Sequence, residues 1–404
     1  MKIQYVVPFV PWQVRVRSYN LIPRLARNHE IHLVCVSGAA PTAEQTAWLD
    51  RYCDSATWIP HSRWRAAAQC ALALPTRTPL RLAYCRSPQV RAMVKQVCGE
   101  VQPDLVYAER WRSLEFLPPD LDVPLVCDPT DSMTLYNQRL KVSGSPWEKL
   151  LAWEEHAKFS RCEGDLARRA DMTVFCSRVD LDCVYAQAPD AHYEIVPNGV
   201  DCERFFFKEE CETKPGTIVF TGSFKYRPNC HAVNYFLARI FPLILRAEPH
   251  ATFAAVGNGA TLALAHHRMS SGFSAVDFVP DLRSYLAEAA VAVAPITIGS
   301  GVSNKLAEGF AVGTPVVATP MACGDLPVKS GEHLLIADSD RDFADHVICL
   351  IRNEELRRKI ALFARRFVEQ NYDWGIVSKQ MESLMCGVVG SRASGRMAQA
   401  YATA

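Results

Sequence analysis

The run "GSGVSNKLAEGFAVGTPVVAT", residues 299–319, sets Lys305 and Glu308 three positions apart behind a loop with two glycines. Val302, Leu306 and Phe310 have the spacing of one helix face, Gly313 stops that helix, and "VVAT" reads as a short buried strand after the Thr314-Pro315 turn. Gly299, Ser300 and Gly301 let the backbone approach an anion. The N–H groups of Val302, Ser303 and Asn304 lie at the positive end of the helix dipole, which favours negative charge there. Two readings of the charged pair stand side by side. Lys305 and Glu308 share a helix face and form a surface ion pair worth about 0.2–0.5 kcal/mol. Alternatively, Lys305 is the partner of a diphosphate and Glu308 accepts hydrogen bonds from sugar or ribose hydroxyls.

Such a run needs a scaffold, and the chain supplies one twice. "IQYVVPFV" and "EIHLVCVS" read as strands around the amphipathic "RSYNLIPRLARN", a βαβ opening. "PDLVYAE", "VPLVCD" and "ADMTVFCS" continue the series with helical stretches such as "EKLLAWEEHAKFSRCEGDLARR" between them, and "YEIVPNGVDCERF" closes it with a Pro-Asn-Gly turn. A second series follows: "GTIVFTGSF", "HATFAAVGNG", "AVDFVPDL", "VAVAPI", "TPVVAT" and "HLLIA". This α/β pattern predicts two Rossmann-like domains, 1–205 and 206–386, near the charged "KEECETKPG" segment, with a flexible Gly-, Ser- and Ala-rich tail at 387–404. Ligands of open parallel sheets bind beyond the carboxyl ends of strands, which directs attention to the polar residues there.

Composition narrows the function classes. The 404 residues contain 44 basic and 43 acidic side chains, so bulk charge gives no reason to expect a nucleic-acid partner. Fifteen cysteines without a C-x-x-C pair resemble neither a disulfide framework nor a zinc site and point to reduced thiols in a cytoplasm. "MKIQYVVPFVPW" reads as a first strand rather than a signal peptide, and "AAAQCALAL" at 66–74 is far short of the ~20 residues that span a bilayer. That run lies between "HSRWR" and "RTPLR", so an interfacial helix stands beside the reading of an ordinary helix.

The ordered landmarks resemble the retaining glycosyltransferases of the GT-B fold, family 4-like or group 1, and within them the sugar transferases of bacterial exopolysaccharide clusters, including those accompanying the PEP-CTERM/exosortase system. "VPNGVDCERF" resembles the family's interdomain "PNGVD..F", and "IVFTGSFKYRPNCHAVNYF" resembles the first strand and loop of its donor domain. "DFVPDLRSYLAEAAVAVAPITIGSGVSNKLAEGFAVGTPVVAT" resembles the donor-site block, and the likeness is weakest over 40–100. It implies two Rossmann-like α/β/α domains facing each other across a cleft, an N-terminal acceptor domain and a C-terminal donor domain, with the last helix packing back toward the first. The activity implied is transfer of a hexosyl group from a nucleotide-diphosphate sugar to a glycan or lipid-linked acceptor. The enzyme would be cytoplasmic, peripheral at the inner face of the inner membrane, and independent of metal or other cofactor.

Residue by residue, the resemblance gives Lys305 the leaving diphosphate and Glu308 the ribose hydroxyls. Backbone at Val279, Pro280, Asp281 and Leu282 would contact the base, and Gly222 and Ser223 the phosphates. Departures are specific. Ser300 stands where many members carry a first glutamate eight positions before the second. Ser223 replaces the arginine of a Gly-Arg pair, leaving Lys225 or Arg227 as cations that either serve the phosphates or are solvated. Ala307 and Gly309 replace leucine and alanine, and "PFVPWQVRVRSYN" lacks the glycines often found there. On the acceptor side, Asp128 and Asp131 in "CDPTDSMTLYNQR" follow a strand. Either could orient or deprotonate a hydroxyl, and Asp128 could equally cap the next segment. Arg17 at a helix start and Glu109 at a strand end complete the acceptor candidates.

Overall fold

Short apolar runs, too brief for amphipathic helices, become parallel strands covered on both faces by the helices between them. The computed structural model describes residues 1–144, 146–207, 213–267, 269–279, 281–298 and 304–402. It separates into two compact units, Met1–Asn198 with Val377–Ala404, and Gly199–Ile376.

The first unit has seven strands: β1 (Lys2–Val7), β2 (Glu30–Ser37), β3 (Ser55–Pro60), β4 (Leu105–Glu109), β5 (Leu125–Thr130), β6 (Met172–Phe175) and β7 (Tyr193–Ile195). They are all parallel, in the order β3-β2-β1-β4-β5-β6-β7. The second unit has six among its described residues: β8 (Lys214–Thr221), β9 (Thr252–Val256), β10 (Phe273–Val276), β11 (Ala289–Ala294), β12 (Val316–Ala318) and β13 (Leu335–Ile336). They too are parallel, in the order β10-β9-β8-β11-β12-β13. Every residue of the central strands β4, β5 and β11 is buried, as expected for strands flanked by helices. In each sheet the order reverses once, between β1 and β4 and between β8 and β11. Outward-running loops part at those points and leave a crevice at the carboxyl ends of the strands.

Several expectations change. Strand β3, "SATWIP", is absent from the sequence reading; it is an edge strand with one fully buried residue, Ile59, and it ends in Pro60. The first helix runs Val16–Leu25 with Pro23 inside it. The units divide after Asn198 rather than 205, because Val200 accepts and donates backbone bonds with Trp374 and Tyr372, at 3.0 and 2.8 Å. A Cβ on Gly199 would come within 2.8 Å of the fully buried Trp374 ring, which explains the glycine of the Pro-Asn-Gly turn. The tail expected to fray from 387 belongs instead to the helix Trp374–Ala402. Within the first unit Gln380 of that helix donates to the Ile195 carbonyl (3.0 Å) and Arg392 to Asp171 (3.0 Å). Residues 208–212 of the charged boundary segment lie outside the described residues.

Candidate functional site

In the second unit, the reversal between β8 and β11 brings Ser223, Lys305 and Glu308 together among the expected donor residues. The helix Asn304–Val312 buries Leu306, Gly309, Phe310, Ala311 and Val312 against the sheet, which leaves Asn304, Lys305 and Glu308 partly exposed. Gly313 ends it with φ +89°, its N–H on the Gly309 carbonyl at 3.0 Å. The Lys305 Nζ donates to Asn229 Oδ1 (3.3 Å) and stands 5.2 Å from the centre of the Phe220 ring. Asn229 in turn donates through Nδ2 to the Ser223 carbonyl at 2.8 Å, which fixes the loop after β8.

Two glycines keep that loop close to the sheet. A Cβ on Gly222 would meet Asn229 Nδ2 at 2.7 Å, and one on Gly257, with φ +144°, would collide with the Gly222 carbonyl. Lys225 follows, exposed on the loop, and Arg227, also exposed, opens the helix Arg227–Tyr235. Arg204 acts on Glu308 by its charge, and its carbonyl accepts from Arg283 (2.6 Å); Arg283 grips Asp281 through two nitrogens at 2.6 and 2.7 Å. Val279 and Leu282 pack partly buried against the core. Arg365 holds the arrangement by donating to the carbonyls of Cys202, Phe205 and Ala311. Hydrogen bonds thus link Ser223, Asn229 and Lys305 on one side and Arg204, Arg283 and Asp281 on the other, and Glu308 feels the charges of both Lys305 and Arg204. Pro280, Gly299, Ser300, Gly301, Val302 and Ser303 lie outside the described residues.

Burial and mutual charge act in opposite directions on the two charged groups of this helix. Burial pulls the Lys305 ammonium down to about 8, against the opposing pull of Glu308. Burial lifts Glu308 to about 7, against Lys305 and Arg204. Asn229, Arg204 and Arg365 were not anticipated. Arg204 and Asn229 stand inside motifs already singled out, "PNGVDCERF" and "KYRPNCHAV", but nothing local marks their side chains as neighbours of Lys305.

In the first unit the acceptor candidates separate into two groups. Asp128 is completely buried; Arg17 Nε and the Tyr107 hydroxyl both donate to its Oδ2, and Thr130 donates to Oδ1 at 3.4 Å. Arg17, expected at a ligand-facing helix start, is buried as well, and its Nη1 also reaches the Pro197 carbonyl (3.2 Å) and Asn198 (3.3 Å). Glu109 is buried beneath the same layer, accepting from the Tyr5 hydroxyl at 2.9 Å. Asp131 differs: its side chain is 40% exposed and lies 3.3 Å from Arg110 Nη1. Its loop is pinned by the neighbouring Ser132, whose N–H donates to Asp180 (2.9 Å) and whose hydroxyl donates to the buried Glu163 (2.9 Å). Arg110 and Thr130, at the carboxyl ends of adjacent strands, have φ of +74° and +72°. For a β-branched residue this is a strained conformation, of the kind that clusters at functional sites.

Glu109 gives a pH signature. Burial first, and then Asp128, raises it from 4.5 to about 7 despite Arg110, Tyr5 and Arg17. The folded state therefore holds a proton that the unfolded chain has released. The resulting stabilisation is complete below about pH 4.5 and is lost as pH rises through 7. Glu109→Gln should gain stability relative to the parent across that window in denaturant titrations; a constant difference from pH 4.5 to 7 would contradict the assignment.

Residues 14–204 match the family described as Glycosyltransferase Family 4, and residues 215–353 match the family described as Glycosyl transferases group 1. A protein of the cps region of Klebsiella pneumoniae, an uncharacterized 44.6 kDa protein, is 20% identical over 251 residues, 60% of this chain and 63% of its own. A phosphatidyl-myo-inositol mannosyltransferase of Mycobacterium tuberculosis is 27% identical over 216 residues, 50% of this chain and 56% of its own. The chain therefore spans 63% and 56% of the lengths of these two relatives. The crystal structure of Anabaena Alr3699/HepE in complex with UDP and glucose aligns over 96% of this chain and 100% of that one, with a TM-score of 0.66 at 15% identity. That likeness shows the fold, GT-B, whose two Rossmann-like units are the two parallel sheets described above. With one family matching the first sheet and its partner family matching the second, the chain belongs to the group 1, family 4 glycosyltransferases.

Proposed function

We propose that the chain transfers a sugar from a nucleoside-diphosphate sugar to a glycan or lipid-linked acceptor, with retention of anomeric configuration, in building a bacterial exopolysaccharide or other cell-surface polysaccharide. The observation that carries this reading is the Lys305–Asn229–Ser223 hydrogen-bond path at the β8/β11 reversal, with Glu308 close enough to feel the Lys305 charge. There a cation, a carboxylate and a close-packed glycine loop meet where an open parallel sheet binds its ligand. The family membership and the UDP in the Anabaena structure support a nucleotide donor, and the cps-region relative supports the polysaccharide setting.

In this reading the second unit holds the donor. Lys305 neutralises the leaving diphosphate without a metal ion, and Glu308 accepts from the ribose. Gly222 and Ser223 approach the phosphates, with Lys225 and Arg227 as further cations, and the backbone from Val279 to Leu282 meets the base. The first unit holds the acceptor. Asp131, the exposed carboxylate of the pair, orients the attacking hydroxyl, while the buried Asp128, Arg17 and Glu109 hold the floor beneath it. Attack on the face the diphosphate leaves from lets its oxygen take the acceptor proton. Peripheral contact with the inner membrane fits Trp64 and Leu72, exposed on the helix Arg63–Ala73; among the described residues no helix is long and apolar enough to cross a membrane.

Incubation with UDP-, GDP- and ADP-sugars, with and without glycan acceptors, tests the reading. A glycosylated product of retained configuration is expected. Epimerised sugar nucleotide in the absence of acceptor would make the chain an epimerase, and nucleotide binding without turnover on any acceptor would make it a scaffold. Glu308→Gln keeps the shape and removes the charge of a hydroxyl acceptor. It should lower kcat/KM for the donor by roughly tenfold, the worth of about 1.5 kcal/mol for a charged hydrogen bond, with little change in melting temperature. Unchanged kinetics would return Glu308 to a surface role.

A further inference from the structure

At the reversal of the first sheet, beyond the ends of β1, β2 and β4, lies a cavity of about 410 Å³ whose wall includes Phe9, Trp12, Arg15, Tyr84, Arg112 and Phe116. We propose that this cavity takes a phosphoryl group of the acceptor, gripped by the guanidinium groups of Arg15 and Arg112, with the apolar or sugar part of the same molecule against the aromatic wall. The inference rests on the reading that the first unit binds the acceptor, and it names the chemical class of that acceptor.

Charge is the first support. Arg15 and Arg112 both line the cavity, and no carboxylate does so among the described residues. Neither guanidinium has a hydrogen bond or ion pair with a described side chain; Arg15 lies over the Phe9 ring at 4.5 Å. In this they differ from the neighbouring Arg110, which is held by Asp131, and from Arg17, which is held by Asp128. Burial, followed by repulsion from Arg110 and Arg112, pulls Arg15 below the ordinary guanidinium range, and burial does the same to Arg112. Arg15 is exposed at the cavity mouth, where Arg110 and Arg112 repel it, and Arg110 repels Arg112 in turn. A bound oxyanion relieves that repulsion, and guanidinium forks match phosphoryl oxygens in bidentate geometry. A phosphoryl group brings nearly the two charges that a pair of guanidiniums can meet, whereas a carboxylate brings one.

Position is the second support. The cavity occupies the place in the first sheet that the Lys305 cluster occupies in the second, at the strand-order reversal. Its rim is anchored, since His61 Nε2 lies 2.7 Å from the Tyr84 carbonyl and Arg15 N–H donates to the Trp12 carbonyl at 2.6 Å. The fixed apolar wall and the unpaired cations are the composition expected of a site for an amphipathic anion.

Titration calorimetry of the full chain with n-octyl phosphate and with n-octyl glucoside, both below micelle-forming concentrations, tests the proposal. The phosphate is expected to bind and the glucoside to bind at least about tenfold more weakly, because only the phosphate meets the guanidiniums. In the Arg15→Gln/Arg112→Gln variant, octyl phosphate affinity should fall by about tenfold or more, with nucleoside-diphosphate affinity unchanged. Absence of octyl phosphate binding, equal affinity for the glucoside, or phosphate affinity untouched by the two substitutions would each overturn the proposal. Nucleoside-diphosphate binding is read in the same experiments. Its presence alongside any of those outcomes sinks the phosphoryl site alone, while its absence sinks the donor reading.

Discussion

In the Lys305→Met variant, kcat for sugar transfer falls by about a hundredfold or more, comparable with loss of one electrostatic stabiliser at roughly 3 kcal/mol, while the melting temperature hardly moves. A leaving diphosphate carries nearly two full charges, and backbone N–H groups at a helix start meet them only with partial ones. Lys305 is the full cation placed at the β8/β11 reversal, held by Asn229 and over Phe220. Burial pulls the Lys305 ammonium down to about 8, so methionine removes a desolvated charge along with a hydrogen bond. The same value sets a pH dependence. The ammonium is present below about 8 and is lost above it, so nucleoside-diphosphate affinity should fall as pH rises from 8 to 9, and Lys305→Met should flatten that slope. A variant that melts much lower yet transfers sugar at the parent rate would make Lys305 structural.

Asp128→Ala should cost about 3–5 kcal/mol of stability in the first unit, because it leaves the Arg17 guanidinium buried without its counter-charge. Asp128 has no exposure, and it gathers Arg17, Tyr107 and Thr130 at the end of β5. Burial opposes the charge on Arg17, yet Asp128 lifts that guanidinium well above its ordinary range, so the two groups depend on each other. Replacing both, as Arg17→Met/Asp128→Leu, should cost less than the sum of the single changes, since no lone charge remains buried. Denaturant titrations of the four proteins measure the coupling. A loss below about 1 kcal/mol for Asp128→Ala would mean that the pair behaves as a solvated surface bridge.

The contrast between those two sites explains what the sequence made legible. The helix carrying Lys305 and Glu308 was readable because period, glycine stop and following strand all lie within one short run, and the strands β1, β2, β4, β5 and β11 were readable as apolar runs. The edge strand β3 was not, because it buries one residue completely and ends in proline. Pairings across long separations were also hidden. Arg17 and Asp128 are 111 positions apart, and Lys305 and Asn229 are 76 apart, so no local pattern joins them. The carboxylates of "CDPTDS" looked equivalent in sequence, and burial alone distinguishes the enclosed Asp128 from the reachable Asp131. Arg15 has no local pattern to mark it, and it gains meaning only when the ends of β1 and β4 bring it to the same cavity as Arg112.

The cluster around Lys305 is expected to receive the diphosphate of a nucleotide sugar. Titration calorimetry of the full chain and of Lys305→Met with UDP, GDP and ADP measures it most directly, because it needs no knowledge of the acceptor. At least one of the three is expected to bind the parent chain at one site, and the methionine variant to bind it at least about tenfold more weakly while remaining folded. Binding of equal strength in both proteins, or no heat with any of the three nucleotides, would contradict it.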